Sequence, residues 1–293
     1  MTSARGDNSV ARRAPVGQGR GVSTLRRDPM PLRGRTALVT GGGRRGGIGH
    51  ATACRLAAYG AAVVVHHFAP HDATQEWGAD DVDAALAEVR GHATAPVAGV
   101  HADLADPVAP QRLLDAAREL SGPVDLLVAN QALSGSDGPL GELSEELDRH
   151  WAVDARASIL LVQAWANAHD DTRPGGAAVL LTSGQARGPM PGEVAYAAAK
   201  AVVAGITPTL ADQLADRRLR VNTVNPGPVD TGYLGAEAFR AMAPMFPFGR
   251  FGEPDDPARL IAWLCTDEAA WITGQVIDSE GGFARHRNGW RPW

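Results

Sequence analysis

The stretch Thr36-Ala37-Leu38-Val39-Thr40-Gly41-Gly42-Gly43-Arg44-Arg45-Gly46-Gly47-Ile48-Gly49-His50-Ala51 decides the fold. A short apolar run ends in a glycine-rich segment and gives way at once to a helical pattern. Glycine lets the backbone turn sharply, and it lets a phosphate approach the free amides of a helix N-terminus, whose dipole favours anions. A glycine run alone is also what an ordinary loop looks like. Its position between a first strand and a first helix points to a nucleotide.

Outward from this stretch, short apolar runs alternate with longer amphipathic ones. Strands are expected at Thr36–Thr40, Ala62–His66, Pro96–Val100, Val124–Ala129, Ala177–Thr182, Arg220–Val224 and Gln275–Ile277. Helices are expected at Ile48–Tyr59, Asp80–Arg90, Pro107–Leu120, Glu145–Ala168, Val194–Asp216 and Pro257–Leu264. Continuous apolar strands separated by helices predict a parallel sheet covered on both faces. The fold class is therefore α/β: one doubly wound domain over residues 34–293, with its ligand at the strand ends. Residues 1–33 hold seven arginines, two acids and no apolar period. They are expected to form a disordered extension, with Met30 a natural start ahead of the first strand.

Composition narrows the function. A net charge of −5 argues against nucleic acid, and no run reaches the roughly 18 apolar residues of a membrane span. Cys54 and Cys265 are too far apart for a disulfide framework or a cysteine-based zinc site. The expectation is a soluble, reduced, cytoplasmic protein without nucleic-acid or membrane partners. One count says more: of 28 basic residues, 27 are arginine and the other is Lys200. Arginine is a fixed charge on a planar fork, whereas lysine is a compact ammonium whose pKa can move.

Lys200 lies one helical turn after Tyr196, one of three tyrosines, so the two face the same side. An ammonium near a phenol favours phenolate, which suits proton exchange with a substrate oxygen. Tyr-x-x-x-Lys also occurs by chance as a surface pair. Here it follows Thr182-Ser183-Gly184 at a strand end and contains the sole lysine.

These motifs together resemble the short-chain dehydrogenase/reductase family over about Arg35 to Phe283. The resemblance rests on the glycine loop, Asp103-Leu104, Ala129-Asn130-Gln131-Ala132, and Ser183 thirteen residues before Tyr196. It continues through Asn225-Pro226-Gly227-Pro228-Val229-Asp230-Thr231 and Ile272-Thr273-Gly274-Gln275-Val276-Ile277. It implies a Rossmann fold and hydride transfer between a nicotinamide and a carbonyl or secondary alcohol. Tyr196 would exchange the proton, Ser183 would hold the substrate oxygen, and Lys200 would bind the nicotinamide ribose and lower the Tyr196 pKa. Cofactor contacts would come from Gly41, Arg44, Arg45, Gly47, Ile48, Gly49, His67, Asp103, Leu104, Asn130, Pro226, Gly227, Val229 and Thr231, besides Tyr196 and Lys200. A homo-oligomer, tetramer or dimer, is implied too, packed through the Glu145–Ala168 and Val194–Asp216 helices.

Three features depart from the family pattern. Five residues rather than three separate Gly41 from Gly47, and Gln131 puts a longer polar side chain near the cofactor. Both resemble a bacterial subgroup of 3-oxoacyl-reductase-like oxidoreductases. Asp154 stands where the family usually has the Asn that completes a catalytic tetrad. A catalytically impaired dinucleotide-binding sensor or scaffold is therefore the alternative to an enzyme. An enoyl reductase fits less well, because its wider Tyr–Lys spacing would put Val203 where lysine is needed.

The second strand ends Val65-His66-His67-Phe68, without the carboxylate that NAD selectivity usually needs. Arg44, Arg45 and a partly protonated His67 could instead hold a 2′-phosphate, so NADP(H) is expected, with NAD(H) still possible. No metal is expected, since His66, His67, His71 and Asp72 match no usual zinc spacing. Segments 184–193 and 232–250 should form the substrate loop and lid. Met190, Tyr233, Leu234, Met242, Met245, Phe246 and Phe248 there imply an apolar, adaptable pocket for a small molecule.

Overall fold

Seven strands, β1 (Thr36–Val39), β2 (Ala62–His67), β3 (Val97–His101), β4 (Leu126–Ala129), β5 (Ala177–Leu181), β6 (Arg220–Asn225) and β7 (Val276–Asp278), pair in parallel. The computed structural model describes residues 28–283 apart from 136, 144 and 234, so Leu234 and residues 1–27 and 284–293 fall outside it. The strand order is β3-β2-β1-β4-β5-β6-β7. All residues of β1, β4 and β5 are buried, because helices cover both faces of the sheet.

One face packs on α1 (Ile48–Ala58), α3 (Val82–His92) and α9 (Asp255–Leu264), where Leu56, Val89 and Ile261 meet the sheet. The other packs on α4 (Ala109–Ser121), α6 (Ala157–Ala168) and α7 (Val194–Leu214) through Leu113, Leu161, Trp165 and Val203. The chain leaves β3 at one edge and re-enters as β4 beside β1. The connections on either side of that reversal run in opposite directions, which opens a crevice at the carboxyl ends of the strands.

Three differences from the sequence reading matter. The expected helix Glu145–Ala168 is broken: α5 (Glu145–His150) passes into a π-helical turn, Trp151–Arg156, before α6. A π turn inserts one residue and misaligns its carbonyls, and such turns recur at functional sites. The short helices α2 (Ala69–Asp72) and α8 (Ala236–Met242) were not expected; four to seven residues carry too little periodicity to read. By length and apolar composition α7 and the turn after it would pass for a membrane span, yet Ala195, Lys200, Val203 and Thr207 on it are buried in the fold.

The domain takes in residues ahead of 34, the boundary expected from the sequence. Leu32 is fully buried in the core under α1 and α9, and its N–H donates to the Tyr59 carbonyl at 3.0 Å. One apolar side chain in a polar tail shows no period, although it can still fill a slot. Leu32→Ala is expected to destabilise the domain by about 2–5 kcal/mol, measured by urea unfolding.

Candidate active site

A cleft of about 1550 Å³ opens at the carboxyl ends of the strands. Gly41, Gly43, Gly47 and Ile48 form one wall, with Asp103 and Leu104 at one end and Pro226, Gly227, Val229 and Thr231 beyond. Gly41 and Gly227 both have φ +64°, where a side chain would be strained. Gly49 is buried and does not line the cleft: a Cβ there would sit 2.4 Å from the Gly41 oxygen and 2.5 Å from Asn130 Nδ2. It serves the close approach of helix and loop instead of a direct ligand contact. Asn130 fastens the loop, donating from Nδ2 to the Thr40 and Gly41 carbonyls at 3.1 Å each. No side chain caps α1, so its first amides face the cleft wall. That pre-formed cradle fits a dinucleotide pyrophosphate.

His66 latches this loop. Its Nδ1 accepts the Gly41 N–H at 3.2 Å and its Nε2 donates to the Ala102 carbonyl at 3.0 Å. Burial pushes its pKa down to about 4. His71 Nε2 accepts the Ser134 N–H at 3.3 Å, so these histidines serve backbone groups on different loops. His67 does line the cleft. Burial, reinforced by His101, holds it below its ordinary value, which works against the imidazolium donor expected for a 2′-phosphate.

The two loop arginines part company. Arg44 lines the cleft, donates to the Thr231 carbonyl and lies 5.1 Å from the Trp77 ring centroid. Arg45 turns away and closes on Asp80, with Nη2 2.7 Å from Oδ1 and Nε 3.0 Å from Oδ2. Asp80 also accepts the Arg45 N–H at 2.9 Å. The expected cofactor contact from Arg45 is thereby corrected: its fork is already satisfied by a carboxylate that the sequence places 35 residues away.

Ser183, Tyr196 and Lys200 converge as the motif implied. Ser183 and Tyr196 line the cleft, and the serine hydroxyl acts on the phenol. Asp137 sets the start of α7, accepting the N–H groups of Ala195 and Tyr196 at 3.1 and 2.8 Å. Thr182 donates its hydroxyl to the Lys200 carbonyl at 2.8 Å. The Lys200 ammonium, 5.4 Å from the Tyr196 ring centroid, is buried and does not line the cleft. It donates to the Leu181 carbonyl and pairs with Asp154 Oδ1, both at 3.3 Å.

Asp154 is fully buried in the π turn. Its Oδ1 also accepts the Leu133 N–H at 3.1 Å, and Oδ2 lies 2.9 Å from His150 Nδ1. Burial alone would lower the Lys200 pKa; Asp154, helped by Tyr196, outweighs it and holds the ammonium above its ordinary value. Burial also raises the Tyr196 phenol. Lys200 and the Ser183 hydrogen bond pull it down while Asp154 and Glu193 push it up, and the net direction is upward. The lowering of Tyr196 implied by the family pattern is corrected, because burial, with Asp154 adding to it, outweighs the lysine.

Gln131 lies along the cleft but sends its amide inward, with Nε2 donating to the Val153 carbonyl at 3.2 Å and Ser158 Oγ at 3.0 Å. It satisfies a carbonyl of the π turn. Met190, Tyr233, Met242, Met245 and Phe283 line the far wall. Phe246 is buried against Phe251, with ring centroids 4.3 Å apart, and Phe248 is exposed. Neither lines the cleft, which corrects the expected pocket list.

The family model described as enoyl-(acyl carrier protein) reductase matches residues 41–284. The uncharacterized oxidoreductase YjdA of Bacillus subtilis (strain 168) is 38% identical over 252 residues, 85% of this chain and 96% of that protein. Among solved structures, the promiscuous reductase LugOII, which catalyses keto-reduction at C1 during lugdunomycin biosynthesis, matches with 37% identity and a TM-score of 0.75, covering 86% of this chain and 98% of that one. The angucycline C-6 ketoreductase LanV with bound NADP matches with 31% identity and a TM-score of 0.75, over 86% and 96%. The chain belongs to the short-chain dehydrogenase/reductase family. It is an oxidoreductase with a Rossmann-type fold.

The His66 latch has a pH consequence. A histidine whose folded pKa is about 4, against an ordinary 6.5, stays neutral in the fold, so its contribution is complete above pH 6.5. As pH falls toward 4 the unfolded chain binds the proton first, and about 3 kcal/mol of stability is lost. Urea unfolding at stepped pH is expected to show this loss in wild type and a smaller one in His66→Gln.

Proposed function

We propose that the protein is an NADP(H)-dependent ketoreductase acting on a small apolar or aromatic carbonyl. The observation that carries this reading is the convergence of Ser183 and Tyr196 in one cleft, beside the glycine cradle and next to the buried Lys200. When bound, the reduced nicotinamide supplies the hydride. The Ser183 hydroxyl holds the carbonyl oxygen, and the Tyr196 phenol donates the proton as charge develops on it. The phenol is held above its ordinary value, which keeps it in the form that donates a proton. The Lys200 ammonium stabilises the phenolate left behind.

The four-residue spacing favours keto over enoyl reduction. Val203, at the wider spacing, is an apolar core residue. The scaffold alternative rested on Asp154, and that carboxylate is what keeps Lys200 charged in the core. The methionine-rich wall suits adaptable apolar substrates, and keto-reduction is the reaction of both LugOII and LanV.

Purified protein with NADPH is expected to reduce phenanthrenequinone or tetralone in preference to a crotonyl thioester. Tyr196→Phe should lower kcat by ~100-fold or more while leaving the NADPH Kd unchanged. Reduction of the enoyl thioester alone, or a fully active Tyr196→Phe, would refute the reading.

For the cofactor, Arg44 is the candidate 2′-phosphate ligand, and the NADP bound to LanV supports the same choice. Arg44→Ala should weaken NADPH by ~10-fold, as expected for a charge-assisted phosphate contact, and leave NADH unchanged. Arg45→Ala should change neither. Fluorescence titration of both variants with both nucleotides checks this, and a preference for NADH in wild type would overturn it.

A further inference from the structure

The Asp154–Lys200 pair has a third buried member. His150 is 1% exposed, and its Nδ1 lies 2.9 Å from Asp154 Oδ2. A carboxylate only accepts, so Nδ1 carries the proton in that bond and Nε2 presents a lone pair. Nε2 is buried and, among the described residues, makes no hydrogen bond. Asp137 Oδ2 is 4.0 Å away, beyond bonding range. His150 and Asp137 both line the cleft. An orphaned ring nitrogen costs free energy, and one at the margin of a catalytic cleft calls for a functional explanation.

His150 links groups on its two ring nitrogens. Asp137 is the acid nearest Nε2, Asp154 meets Nδ1 with one oxygen and Lys200 with the other, and the Tyr196 ring lies edge-on with centroids 5.9 Å apart. His71 from α2 and Arg149, its own neighbour, complete the charged surroundings. The His and Asp stand four residues apart across the π turn. The amide usual at position 154 could not receive and pass on a proton, whereas a carboxylate can.

We propose that His150, as a positioning residue acting through Asp154, returns to Lys200 the proton that Tyr196 gives to the substrate. The inference rests on the ketoreductase reading above. Tyr196 ends the reduction as phenolate and recovers its proton from the Lys200 ammonium, directly or through a hydroxyl between them, which leaves a neutral amine. Asp154 would then be a buried carboxylate without its counter-charge. His150 takes a proton at Nε2 from the cleft, becomes imidazolium and pairs with Asp154. Its Nδ1 proton then passes by way of the carboxyl group to the amine. One proton enters at Nε2 and one leaves at Nδ1, and no other bond changes. The ring regains its starting tautomer by turning about Cβ–Cγ, so that Nδ1 takes a proton from the cleft and Nε2 releases one, before it turns back.

The test uses the full chain with NADPH and phenanthrenequinone, or whichever carbonyl of the panel wild type reduces. His150→Ala is expected to lower kcat by ~10–100-fold with KM and NADPH affinity unchanged. Imidazole added to the buffer should restore turnover, whereas pyrazole, of the same shape but too weak a base, should not. His150→Gln keeps a donor toward Asp154 but cannot relay a proton. It should show the same fall with wild-type Tm, so a folding defect in the alanine variant leaves the question decidable. Wild-type kcat in His150→Gln, or equal rescue by imidazole and pyrazole, would overturn the relay alone. A wild type that reduces no carbonyl would overturn the ketoreductase reading, and the relay with it.

Discussion

A lysine ammonium buried beneath the cleft is the constraint around which this site is arranged. Taking such a charge out of water is expensive unless a partner of opposite sign accompanies it. Asp154 is that partner, at 3.3 Å, and the Leu181 carbonyl takes a second proton of the ammonium. Asp154 reaches this position from a π turn, where the helix between β4 and β5 gains one residue and swings its side chains out of their ordinary register. The turn in turn needs satisfied carbonyls, and Gln131 supplies the amide for Val153. A residue of the segment after β4, a turn of the next helix and the charge on α7 thus form one connected polar network, stable because nearly every member has its hydrogen-bond partner.

The same logic of rigid support runs through the nucleotide side. The glycine loop is stiff because Asn130 ties it to β4 and His66 ties it to β2, while Gly49 lets the helix press against it. The first amides of α1 are then held where an anion can reach several of them together. Asp137 does for α7 what no residue of α7 does for itself, capping Tyr196 from another loop and aligning the phenol with Ser183. Both halves of the cleft are held by elements around the fully buried strands β1, β4 and β5, which is why side chains far apart in the chain meet there.

Much of this was legible in the sequence, and the reason is local. Strands buried on both faces must be apolar throughout, so β1, β4 and β5 announce themselves. A tight turn into a helix needs glycine, and two groups on one helix face need a spacing of four, so the loop at Gly41–Gly49 and the Tyr196–Lys200 pair could be read directly. What could not be read depends on partners brought together from distant segments. Arg45 looked as available as Arg44 until Asp80 closed on it. Leu32 looked like tail until the core received it. His150 carried no motif, and only the fold sets it between Asp137 and Asp154. Sequence by itself determined the fold class, the cradle and the placing of Tyr196 one turn from Lys200, because each follows from periodicity or from one turn of helix. Tertiary structure alone decided the direction in which Tyr196 titrates and which arginine faces the cofactor site, because burial and charge pairing belong to neighbours in space.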